Sequence, residues 1–356
     1  MIPQNRGHKT GGNFIQITLL LALAFLLPAA PAWAQNPTPI EKLFLEGIAL
    51  QEEGKARAAL KKFEKILDID PNHIPAISEK TYALMVLHRY RPVLDITEKV
   101  LRQHKGSPQL LFIYINRGNA FSYIGKPQEA LEVFDEGIAA FPTSNLLYFN
   151  KGLTLAELGK RKEAQDCFEK AVSVDPEEPS AHLAIAHLAL SNGQRVPALL
   201  AFARFLVLEP EGKRAKNSVQ QIKKLIKANP DVLEKLPADS AQINKENDFT
   251  EVEKILMYPP VRDTESAKQM PPIERAMQRF SALCCALRAH QQEGTGFFWT
   301  YYAPYFIEMQ DLDLLLPFTH VVLVSDGNKP SLAWIKENDK ELGRFFAWSE
   351  IYPWQK

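Results

Sequence analysis

Small and large apolar residues recur along this chain at a fixed distance. Counting from Gly118, the chain places Phe121, Gly125, Ala130, Phe134, Gly137 and Pro142; from Gly152 it places Leu155, Gly159, Ala164, Phe168, Ala171 and Pro176. Gly47 opens the same series with Leu50, Gly54, Ala59, Phe63, Ile66 and Pro71, and Ala186 opens it with Ala189, Gly193, Ala198, Phe202, Phe205 and Pro210. The period is 34 residues. Within each period the apolar positions fall at helical spacing, which predicts two amphipathic helices. The leading small residue lets the first helix approach the second closely. Gly125, Gly159 and Gly193 stand where a left-handed residue would end the first helix. The closing proline stops the second, because proline cannot continue a helix.

Five such units are expected, at 40–73, 74–110, 111–144, 145–178 and 179–212. The second is degenerate. Thr81 replaces the leading glycine, His88-Arg89-Tyr90 holds the turn, and Pro92 opens its second helix. Three extra residues around Lys105-Gly106-Ser107 lengthen its exit, which reads as a longer loop, with a bend in the array as the alternative. The co-occurrence of these positions resembles the tetratricopeptide repeat. One helical pair cannot bury its own apolar face, and stacking several does. The resemblance therefore implies an all-α solenoid. Its concave face, built from the first helix of each repeat, would bind a protein or peptide.

After Pro210 the pattern changes. Lys213 to Lys227 carries six basic residues and no acidic one, above an apolar stripe of Val219, Ile222, Leu225 and Ile226. It is expected to be the polar helix that closes a repeat stack; an anion-attracting patch is the alternative. The region 229–249 is polar, contains Pro230 and Pro237, and reads as a linker. The remaining 250–356 does not follow the repeat and is expected to form a small aromatic-rich helical domain. Ile273, Met277, Phe280, Cys284 and Leu287 predict a helix over 272–292, ended by Gly294 and Gly296. An aromatic helix interrupted near Pro304 follows. Ser331 and Asp339 are the expected caps of two short helices. Val321 to Val324 could be a strand by residue type, but with no partner strand in a helical neighbourhood it reads as helix. The aromatic residues are expected to make a compact core, with a binding platform as the alternative.

The first 34 residues are different in kind. Arg6, His8 and Lys9 precede an apolar run from Phe14 to Leu27, broken by Pro28 and Pro31 and followed by Ala32-Trp33-Ala34. That order is expected of a secretory signal peptide cleaved after Ala34. Such a run is short of the ~20 residues that span a bilayer. The expected layout is thus a signal peptide at 1–34, a solenoid with its capping helix at 35–228, a linker at 229–249 and a helical domain at 250–356. The mature protein would be periplasmic, with no integral membrane segment. Lys plus Arg equals Asp plus Glu at 42 each, so the overall balance points neither to nucleic acid nor to an anionic surface. The three cysteines, Cys167, Cys284 and Cys285, are expected to be buried small apolar residues.

Chemistry is absent at the level of motif. No glycine-rich phosphate loop, nucleophile elbow or His-Glu-x-x-His sequence occurs. His182 and His187 lie five apart on one helix, about 140° around the axis, so they do not converge on a metal. No cofactor, metal or catalytic role is expected. The first-helix positions that a repeat groove would present include Phe44 and Ile48. The principal candidates are Phe112, Ile115, Asn119, Phe149, Asn150, Leu153, Leu183 and His187. The resemblance implies a further possibility, the family's clamp for a C-terminal carboxylate, in which Asn119 and Asn150 match two asparagines. Its basic residues are replaced by Ile115, Ser180 and Ala184, and a carboxylate without a cation is poorly held. The groove is therefore expected to take an apolar or amphipathic segment, in the role of a scaffold for assembling an envelope complex. The alternative is a ligand-binding or enzymatic C-terminal domain that the repeats dock.

Overall fold

The computed structural model describes residues 37–226, 245–257 and 270–354, and these are built from helices, with no strand among the described residues. The expected signal peptide lies outside them, as does 229–244 of the expected linker. No helix among the described residues is long and apolar enough to cross a membrane. By compactness the chain divides into two units after Val174.

The first unit holds four helical hairpins: α1 (Pro39–Glu52) with α2 (Ala56–Ile69), α3 (Ile74–Val86) with α4 (Tyr90–Gln103), α5 (Leu111–Tyr123) with α6 (Pro127–Ala140), and α7 (Asn145–Glu157) with α8 (Arg161–Val174). Thr38 opens α1 with a capping box, its side chain and that of Glu41 each bonding the other's backbone amide, which satisfies donors the first turn leaves free. The leading glycines have a visible purpose. A β-carbon on Gly47, Gly118 or Gly152 would stand 2.6, 2.5 or 2.6 Å from the ring of Phe63, Phe134 or Phe168. Each ring is buried and lies sixteen residues on, in the second helix of the same hairpin. Ring against bare backbone is the lock of each repeat.

The degenerate second repeat solves the same packing problem differently. Thr81 stands at the glycine position and Thr97 at the phenylalanine position, and both are fully buried. The smaller second residue makes room for the larger first. Their hydroxyls are not left unpaired: Thr81 donates to the Ser78 carbonyl at 2.8 Å and Thr97 to the Val93 carbonyl at 2.7 Å. At the turn, His88 takes the left-handed conformation (φ 58°) that Gly54, Gly125 and Gly159 take elsewhere. The three extra residues form a loop with Gly106 and a short 3-10 turn, Pro108–Leu110.

The second unit begins at Asp175. It contains α9 (Pro179–Ser191), α10 (Arg195–Leu208), α11 (Gly212–Leu225), α12 (Thr250–Met257), α13 (Pro272–His290), α14 (Ala303–Asp311), α15 (Leu315–Val324), α16 (Lys329–Glu337) and α17 (Asp339–Glu350). The fifth hairpin, α9 with α10, therefore packs with the C-terminal elements. Helix α10 is apolar on every side, and every residue from Arg195 to Val207 is buried, as such a helix must be. It packs against α9, α11, α12, α15 and the π-helical turn Phe298–Tyr302. Helix α11 lays Ala215, Val219, Ile222 and Leu225 against it, as its stripe predicts.

Four expectations change at the level of detail. Asn328 caps α16, its side chain accepting from the Ser331 amide at 2.9 Å, so Ser331 is a residue of the first turn. Helix α17 starts at Asp339 with Asn338 before it. Of the cysteines only Cys284 is buried; Cys285 is exposed and Cys167 half-buried. On α13 the adjacent residues point about 100° apart, so one faces the core and the other does not. Residues 246–248, read as the end of a linker, are pinned to the aromatic segment: the Gly296 amide donates to the Glu246 carbonyl at 2.7 Å, the Phe298 amide to Asn247 Oδ1 at 3.2 Å, and Trp299 Nε1 to the Asp248 carbonyl at 3.1 Å.

Candidate functional site

Helix α5 carries Phe112, Ile115 and Asn119 on one face, by their spacing of three and four. Helix α7, which packs beside it, carries Phe149, Asn150 and Leu153. The two are tied near their ends by Ser122 Oγ and Thr154 Oγ1 at 3.0 Å. The structure thus brings these six candidates onto neighbouring first helices of one unit. They are not equally presented. Ile115 is buried with Phe134, Ala130 and Leu147, and Phe112 is packed against that cluster. Phe149 is only 9 % exposed, its ring 5.9 Å from that of Phe168. Leu153 and Asn150 are half-buried. Phe44, in the first repeat, packs edge-on to Phe63 at 5.9 Å. The apolar candidates therefore serve the repeat core on one side and present at most an edge to a partner.

The two asparagines differ sharply. Asn150 Nδ2 donates to the Leu146 carbonyl of its own helix at 2.7 Å. Asn119 is 7 % exposed, and its Nδ2 has no hydrogen-bond partner among the described residues. A buried amide donor left unpaired costs about 1–3 kcal/mol.

Two further polar residues, on α5 and α3, are not singled out by the repeat pattern of apolar positions. Asn116 donates to the Ser78 carbonyl at 3.1 Å and to Thr81 Oγ1 at 2.9 Å, tying α5 to α3. Glu79 is buried in α3 and accepts from Gln51 Nε2 at 3.0 Å. Asn116 stands two residues before Gly118, as Asn150 stands before Gly152 and Glu79 before Thr81. A polar residue recurring at that offset was the available signal.

Leu183 and His187 belong to α9, in the second unit. Leu183 is half-buried and His187 exposed, with its ring edge-on to buried Phe202 at 5.2 Å. His182, on a different side of α9, faces the C-terminal elements of this unit. It is fully buried between the Tyr302 hydroxyl, at 2.6 Å, and the Pro176 carbonyl, at 2.9 Å. Burial, with the Arg204 charge adding to it, holds its pKa down at about 3.

Arg204 is the centre of that polar core and is 1 % exposed. It donates to Ser349 Oγ at 2.7 Å and pairs with Glu177 at 2.5 Å. Its guanidinium lies 4.7 Å from the Trp354 ring centre and 5.4 Å from that of Tyr305. Burial raises the Glu177 pKa against the opposing pull of Arg204. Tyr305 and Ser349 also share a hydrogen bond, at 2.8 Å. Tyr302, Tyr305 and Trp354 are thus core residues, and Tyr305 and Trp354 pack around one buried cation. The sequence signal was a charge in an otherwise apolar helix.

A cleft of about 230 Å³ opens beside Phe249 and Trp299, which stack at 4.1 Å. The polar groups that line it already bond one another or their neighbours: Asp248 accepts from Thr250, Glu293 pairs with His290 and Glu251 with Lys254. Among the described residues no group of His, Cys, Asp and Glu side chains is arranged to hold a metal ion.

Two family models match the chain, both described as tetratricopeptide repeat, over residues 115–160 and 147–178. These spans contain the Gly118–Phe134 and Gly152–Phe168 locks. Residues 115–178 of this chain are tetratricopeptide repeats. No curated protein matches it in sequence. Among solved structures, TTC0263, a thermophilic tetratricopeptide repeat protein of Thermus thermophilus, is similar at 22 % identity and a TM-score of 0.47, over 52 % of this chain and 98 % of its own. PilW, described as a widely conserved type IV pilus biogenesis factor, is similar at 17 % and 0.46, over 65 % of this chain and all of its own. The pilF protein of Pseudomonas aeruginosa is similar at 20 % and 0.45, over 55 % and 84 %.

Proposed function

We propose that this protein is an exported scaffold that holds a segment of another protein against the first helices of its repeats. The observation that carries the reading is the Asn119 amide, buried on that face with a donor that nothing among the described residues satisfies. A partner's backbone carbonyl would satisfy it and recover the cost of the unmade bond. The partly exposed edges of Phe112, Leu153 and Asn150 lie on the same helices and would set the apolar character of the segment taken. No cation replaces the basic clamp residue at Ile115, so the bound element is an internal apolar or amphipathic stretch rather than a chain end. Export rests on the basic start, the apolar run and Ala34, and gives a mature protein that begins at Gln35 and works in the periplasm, in the assembly of an envelope complex.

The test is selection of short random peptides on the purified protein, followed by binding to Asn119→Ala and Leu153→Ser. Selected peptides that bind the wild type and lose at least tenfold on both variants, with folding unchanged by circular dichroism, are the expected result. Peptides that bind the variants equally would put recognition elsewhere.

A further inference from the structure

The first unit has a second surface that peptide binding does not use: the edge formed by the turns between the two helices of each repeat. Three large apolar side chains protrude there. Val86 is 47 % exposed, Tyr123 46 % and Leu158 41 %; the first two end the first helices of repeats two and three, and Leu158 follows the end of that of repeat four. A side chain of that kind left in water is ordinary when single. Three at or beside the tips of consecutive repeats form a row, with Leu158 one position further on than Val86 and Tyr123.

Direct contacts join these tips. The Tyr90 ring stacks on Tyr123 at 5.1 Å and 11°, linking repeats two and three. Ser122 and Thr154, at 3.0 Å, link repeats three and four. His88 Nδ1 lies 2.7 Å from the Tyr90 hydroxyl and completes an aromatic line.

Charge on this edge is one-sided. Residues 86–91, 123–129 and 157–163 hold six Lys or Arg against three carboxylates, in a chain whose total charge is zero. Lys126 pairs with Glu129 and Lys162 with Asp166. Arg89, Arg91, Lys160 and Arg161 are exposed, and no ion pair among the described residues engages them. These four flank the apolar tips closely in sequence.

We infer that this edge seats the repeat unit on an anionic membrane surface. The tips protrude, and a planar, deformable partner takes protruding side chains without needing a matching shape. Protruding apolar side chains can enter the headgroup layer while adjacent cations remain at the phosphates. An acidic protein would meet the cations equally well, but it would need a complementary trough for the three tips. The inference uses none of the groove candidates, which lie further from the turns along the same helices.

The experiment is co-sedimentation of the full-length protein with vesicles of phosphatidylglycerol and phosphatidylcholine, and with phosphatidylcholine alone. Each Lys or Arg held near an anionic surface contributes about fivefold in partition. Partition onto the anionic vesicles is expected to exceed that onto neutral ones at least tenfold and to fall steeply with salt, a readout that needs no variant. Arg89→Glu, Arg91→Glu, Lys160→Glu and Arg161→Glu combined should remove that excess, and Tyr123→Ser with Leu158→Ser should weaken binding at least fivefold at unchanged salt dependence. Equal partition onto both vesicle types would overturn the inference, as would a charge-reversed protein that binds like the wild type. Absent vesicle binding would also overturn it, and would leave an acidic protein as the partner of this edge.

Discussion

If the glycine–phenylalanine contact is the lock of each repeat, then adding a single methyl group should break it, and removing part of the ring should make the methyl group welcome. Gly118 sits in the interior of α5, with Phe134 Cε1 2.5 Å and Cζ 2.6 Å from where its β-carbon would lie. Phe134 is fully buried and has no room to withdraw. Overpacking of this kind costs about 1–3 kcal/mol. Alanine also gains about 0.5–1 kcal/mol over glycine in a helix interior, so Gly118→Ala should destabilise by about 1–2 kcal/mol net. Phe134→Leu removes the clashing ring edge at its own cost in lost packing. In that background the second change, Gly118→Ala, should stabilise, because only the helix term remains. The coupling between the two positions is then about 1–3 kcal/mol and favours the double variant. Urea titration followed by far-ultraviolet circular dichroism is the appropriate assay. Tryptophan fluorescence would not report on this unit, since 37–174 contains no tryptophan. Gly118→Ala that is neutral or stabilising in the wild type, or that has the same effect in both backgrounds, would refute the reasoning. The second repeat already makes the double change in natural form, as Thr81 with Thr97.

Three further outcomes follow from other parts of the molecule. Arg204→Ala should destabilise the second unit by about 3 kcal/mol or more, because it leaves a hole beneath Trp354 and removes the buried cation that bonds Ser349 and pairs with Glu177; a fluorescence-monitored unfolding midpoint that does not move would contradict this. Burial holds His182 down at about 3 and His320 at about 4, so both are neutral when folded and gain a proton on unfolding. Their contribution to stability is complete above about pH 6.5 and is lost as pH falls from there towards those values, by about 1.4 kcal/mol per pH unit for each; His320→Asn should flatten the slope by one proton. The intact mass of the protein recovered from an envelope fraction should begin at Gln35, and a Met1 start would remove the basis for cleavage.

How far the fold could be read from the sequence depended on the range of the interaction concerned. The hairpins were legible because their determinants are local and repeat: a small residue and a ring sixteen apart, with a left-handed turn between them. Even the broken repeat kept its register, since His88 takes the backbone conformation its neighbours assign to glycine. What the pattern hid was compensation. Thr81 alone reads as a defect, and only the pairing with Thr97 shows a substitution of one packing solution for another. The second unit was legible in its helices and not in its centre. Arg204 reaches Ser349, 145 residues away, and stacks on Trp354, and no periodicity encodes a contact of that span. Its one local sign was a charge inside α10, which buries all its sides and so must satisfy that charge internally.

The candidate groove shows the same division. Spacing correctly groups Phe112, Ile115 and Asn119 on one helix, and Phe149, Asn150 and Leu153 on the next. It does not say which side chains the repeat keeps for itself. Ile115 and Phe149 are drawn into the core because the rings of Phe134 and Phe168, seated on bare glycine backbone, leave space that only a neighbour on the first helix can fill. The tight lock and the buried groove residues are therefore one feature. Close approach of the two helices, which stabilises the hairpin, moves the inner face of the first helix towards its own second helix. What remains for a partner is sparse, the half-buried edges of Phe112, Asn150 and Leu153, and the donor left without a bond on Asn119 is where a bound chain would contribute most to its own retention.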